Sequence, residues 1–130
     1  MKTVHAFWDD AEQSTIRIEL AADWSWKAVY DLVPEVHAMM DEVSHPVHFI
    51  VLPAEDTIAL PPSSLQHLRD IPTLWHPNTG VTVIVTNSTV VDIIMGLLQQ
   101  VYQKGFRTII NTGKLEDARA IIAKRNQLAV

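Results

Sequence analysis

The chain has 130 residues, a formal net charge of −5 and an apolar fraction of 48%, which suits one domain with a buried core and argues against disorder. Its ten Lys and Arg are scattered and leave no basic footprint for nucleic acid, and the lack of cysteine excludes disulfides, thiolate metal sites and a cysteine nucleophile. No apolar run approaches the roughly 20 residues that span a bilayer, and Met1-Lys2-Thr3 leads into strand-like sequence and not a signal core, so a cytoplasmic domain is expected.

Val4–Trp8 and Thr15–Ala21 flank the polar segment 9–14 and read as an antiparallel strand pair at a sheet edge. In the second run Ile16, Ile18 and Leu20 alternate with Arg17 and Glu19, the pattern of a strand with one buried face. A helix is predicted over 25–43, capped from Asp23–Ser25, with Trp26, Val29, Val33, Val36, Met40 and Val43 on its buried stripe. Pro34 falls inside it and predicts a kink or break.

Val47–Leu52 is apolar almost throughout, as expected of a strand covered on both faces. After the Pro-rich loop Pro53–Pro62, Ser63-Ser64 can cap a helix over 63–75, which Pro72 should shorten. His76-Pro77-Asn78-Thr79-Gly80 is a turn, Val81–Thr86 a second buried strand, and Asn87-Ser88 the cap of a helix over 88–103. That helix is apolar nearly all round: Val90, Ile94, Leu97, Leu98 and Val101 make one stripe, and Val91, Ile93 and Met95 lie away from it. Arg107–Asn111 predicts the last strand, and 114–127 the last helix, with Leu115, Ala118, Ile121 and Ile122 inward. Strands alternating with helices define an α/β fold with a largely parallel sheet, in a single domain over 1–130.

No complete catalytic motif is present. The four glycines, 80, 96, 105 and 113, are too dispersed to cradle phosphates, and the six histidines show neither helical i, i+4 spacing nor an HExxH pattern. No cofactor, no metal and no enzymatic activity are expected.

The element order, a strand pair followed by helix, strand, helix, strand, helix, strand and helix, resembles that of STAS domains. So do Trp24-Ser25-Trp26, Leu60-Pro61-Pro62-Ser63, His76-Pro77-Asn78 and Leu115-Glu116-Asp117-Ala118-Arg119, which are similar to a divergent bacterial SpoIIAA-like branch. The resemblance covers nearly the whole chain. It implies a βα superhelical fold and a non-enzymatic role in protein–protein regulation or ligand sensing. In anti-sigma-factor antagonists of this family a partner kinase phosphorylates a serine before the second helix. The matching positions here are Ser63 and Ser64, without the family's preceding Asp and following Gly.

Two further candidates come from the residues themselves. A ligand crevice is expected at the carboxyl ends of the parallel strands, lined by Asp23, Trp24, Trp26, Leu60, Asn87, Ser88 and Thr112, with the tryptophans offering flat apolar contact. The all-round apolar third helix predicts an interface for a protein partner or a second copy through Val91, Ile93 and Met95. Its competing explanation is the lining of a site for a small apolar, lipid-like ligand, since the lipid-binding CRAL-TRIO domain shares the βα architecture.

Overall fold

The computed structural model describes residues 3–54, 61, 63–101 and 108–128. Five strands, β1 (Val4–Trp8), β2 (Thr15–Leu20), β3 (Val47–Pro53), β4 (Thr79–Val85) and β5 (Ile109–Thr112), form one sheet in the order β1-β2-β3-β4-β5. The first pair is antiparallel and the rest run parallel. Among the described residues four α-helices accompany them: α1 (Trp26–Asp41), α2 (Ser64–Asp70), α3 (Thr89–Val101) and α4 (Leu115–Leu128), with a 3₁₀ turn at Ile71–Leu74 after α2.

The strand order dictates the layers. Each step from β2 to β5 moves in the same direction across the sheet, so right-handed crossovers put every connecting helix on the same face. Accordingly α1 and α2 pack with Ile16, Leu20 and Phe49, and α3 packs with Ile84 and Ile109 on that face. Among the described helices only α4, which follows the last strand, covers the other, where Ala118 and Ile122 meet Ile50, Val81, Val83 and Val85.

Local chemistry sets the ends of these elements. Asp10 holds the β1–β2 loop: its carboxylate accepts from the Ser14 and Thr15 backbone N–H groups at 3.0 and 3.1 Å and from the Ser14 hydroxyl. Ser25 caps α1, accepting from the Ala28 N–H at 3.2 Å. Of the kink or break expected at Pro34, the break does not occur: helix α1 is continuous through it. Pro34 lies on the exposed side, where the Tyr30 carbonyl it leaves without a donor can tilt towards water. Pro72 does end α2, converting the chain to the 3₁₀ turn.

The expected phase of α3 is corrected. Met95 (2% exposed) and Leu98 are its buried residues, with Val91 and Ile94 packed beside them. The exposed stripe is Val90, Ile93, Leu97 and Val101. Of the three residues expected at an interface, only Ile93 faces outward. Val91 and Met95 face the sheet because α3 crosses β4 and β5 with that side down.

Candidate functional site

The described strand order is monotonic, so it has no switch point at which a crevice opens between diverging crossovers. Space is left elsewhere. Between the sheet and the layer of α1, α2, the 3₁₀ turn and α3 lies a cavity of about 230 Å³. Its floor is the helix-covered face of β2, β3 and β4, and its roof comes from α1 (Val29, Val33, His37), from Leu68, Ile71 and Leu74, and from Val91 and Met95.

The burial pattern of β4 records this space. Val81, Val83 and Val85, which point at α4, are buried, whereas Thr82, Ile84 and Thr86 on the opposite face are half-buried although β4 is flanked by strands on both sides. On the same face Ile18 and Val51 are also half-buried. All five line the cavity.

One end is closed by an aromatic cluster. Trp24 and Trp26 meet edge to face with centroids 4.9 Å apart, and His67 stacks on Trp26 at 5.1 Å. The Trp26 indole N–H donates to the Ser64 hydroxyl at 2.8 Å, Ser64 donates onward to the Pro61 carbonyl, and the Tyr30 hydroxyl bonds His67 Nδ1 at 2.8 Å. This ties the start of α2 to α1.

Near the other end two imidazoles line the cavity, His37 and His76, 5.3 Å apart with perpendicular rings. His37 Nε2 donates to the Leu74 carbonyl at 2.8 Å. His76 Nδ1 accepts the Asn78 N–H at 3.0 Å, so Nε2 carries the proton donated to Asp41 at 2.6 Å. No Asp, Glu, Lys or Arg is among the described lining residues.

The predicted site residues separate under this geometry. Trp24 and Trp26 line the cavity. Asp23 and Asn87 are exposed on loops, Ser88 caps α3 by accepting from the Val91 N–H at 3.3 Å, and the Thr112 carbonyl accepts the Thr86 N–H at 2.8 Å. None of these four borders the cavity, and Leu60 lies outside the described residues. Ser64 is buried at 6% exposure with its hydroxyl engaged. Ser63 is exposed at the N-cap of α2, in left-handed backbone (φ 63°) and without a capping bond.

The sequence reading missed Thr82, Ile84 and His37. A signal existed for the first: β4 reads Val81-Thr82-Val83-Ile84-Val85, so one face of a central strand is purely apolar while the other carries a hydroxyl. No family model, curated protein or solved structure matches the chain. Among the described residues, no helix is long and apolar enough to cross a membrane and no group of three His, Asp or Glu converges as metal ligands.

Proposed function

We propose that the chain is a non-enzymatic regulatory module of the STAS type, acting in the cytoplasm, that carries or senses a small apolar molecule in the cavity beneath α1 and α3. The observation that carries this reading is an apolar space of about 230 Å³ facing a central strand. A 150 Å³ apolar cavity accepts benzene, so by proportion about nine non-hydrogen atoms fit here. The element order and the phrases around Trp24, Pro61 and His76 support the family. The non-enzymatic part rests on what the imidazoles do: His48 bonds Val81 and Asn126, His67 bonds Tyr30, and His76 bonds Asp41 and Asn78.

Native mass spectrometry tests this, with the denatured mass as reference. The expected result is a non-covalent adduct on freshly purified protein, or one equivalent of propylbenzene or 3-phenylpropanol taken up on incubation. Bare chain mass in both experiments would overturn it. A second reading is favoured by the exposed stripe Val90, Ile93, Leu97 and Val101 on α3: an interface for a protein partner or a second copy, coexisting with the cavity on the opposite side of the same helix.

A further inference from the structure

Resting on the ligand-cavity reading, we infer that the cavity selects an uncharged molecule carrying one hydrogen-bonding group, such as a hydroxyl or carbonyl, and that Thr82 is the residue that reads it. Thr82 stands on central strand β4, paired to Phe49 on one side and Ile109 on the other, with its side chain on the cavity face. Its hydroxyl has no hydrogen-bond partner among the described residues, yet the side chain is only half-buried. For a residue walled in by strands on both sides and roofed by helices, that exposure opens onto the cavity it lines.

Valine has the same shape and fills the alternate positions Val81, Val83 and Val85 of this strand. A threonine in its place leaves a polar group in apolar surroundings, which disfavours the empty protein. A ligand hydroxyl or carbonyl at Thr82 removes that penalty. Charge is selected against: no described lining residue is a carboxylate, lysine or arginine, the two lining imidazoles are already bonded, His37 to the Leu74 carbonyl and His76 to Asp41 and Asn78, and an unpaired ion in such a space is strongly disfavoured.

Calorimetric titration with three probes that share a three-carbon chain on a phenyl ring tests the inference: propylbenzene, 3-phenylpropanol and 3-phenylpropanoate. They are added to the wild type, to Thr82→Val and to Thr82→Ser. The neutral probes should bind the wild type and the carboxylate should bind at least tenfold more weakly than the alcohol. Thr82→Val should lower the ratio of alcohol to hydrocarbon affinity roughly tenfold, as loss of one buried hydrogen bond does. Thr82→Ser should restore the ratio. An unchanged ratio in Thr82→Val, or tightest binding by the carboxylate, would overturn the inference while the cavity reading stands. Failure of all three probes to bind would overturn both.

Discussion

The Trp26 indole N–H ends on the Ser64 hydroxyl, 2.8 Å away, and Ser64 passes the chain on to the Pro61 carbonyl. The second of two adjacent serines is therefore a structural bridge, while Ser63 stands exposed with left-handed backbone and no cap bond. Ser64→Ala leaves a buried indole N–H unpaired and should cost about 1–3 kcal/mol in urea denaturation. Ser63→Ala should change little, and Ser63→Gly should gain about 0.5–1 kcal/mol by relieving the left-handed backbone. If a kinase modifies this loop, the phosphate is expected on Ser63, as phosphopeptide mapping would show.

Gly80 is fixed by His48. A Cβ on residue 80 would collide with His48 Nδ1, the atom that accepts the Val81 N–H at 3.0 Å, while Nε2 donates to Asn126 at 2.8 Å. Gly80→Ala must push the ring away from both partners. A loss of roughly 2–4 kcal/mol is expected from overpacking together with the broken bonds, read from the urea midpoint. His48→Ala in the Gly80→Ala background should recover the overpacking part.

Asp9 joins the strand pair to α4. Arg119 grips its carboxylate at 2.9 and 3.0 Å, and Arg17 approaches at 3.4 Å. The hydrogen bonds from Arg119, reinforced by the charges of Arg119 and Arg17, hold the Asp9 carboxyl below the usual aspartate range. A depressed folded-state value means that the stabilisation is complete above the unfolded value, about 4, and is lost as pH falls through the folded one. Arg119→Gln should cost about 0.5–1 kcal/mol at pH 7, since that side chain is half exposed and screened. The difference from wild type should shrink below pH 4 in acid titrations followed by circular dichroism.

The element order could be read because β2 alternates in polarity while β3 and β4 are short, almost continuous apolar runs bounded by turn residues. Where contrast fails, so does phase. Helix α3 is apolar nearly all round, with Asp92, Gln99 and Gln100 its only charged or amide residues, and its apolar residues alone do not say which of them meet the sheet; the packing of Met95 and Leu98 on Ile109 decides it. Trp24 and Trp26 were legible as lining because two large apolar rings stand together at a helix entry. The cavity itself was not, since it is set by how far the helices stand from β3 and β4. Thr82 carried the available hint, a hydroxyl on one face of an otherwise aliphatic strand.

The exposed stripe of α3 predicts a separable function. Ile93→Lys combined with Leu97→Lys alters only exposed positions, so stability should stay within about 0.5 kcal/mol per site. Probe binding in the cavity should be unaffected, whereas any self-association of the wild type seen by analytical ultracentrifugation should be lost.

The most direct measurement is a crystal structure under xenon pressure, for wild type and Ile84→Phe, since dry apolar cavities take up xenon. A xenon site is expected in the wild type among Ile84, Val51, Leu68 and Met95. In Ile84→Phe the added ring should occupy that space, exclude xenon and abolish propylbenzene binding. A wild-type structure with α1 and α3 collapsed onto β3 and β4, and no xenon between them, would contradict the central claim.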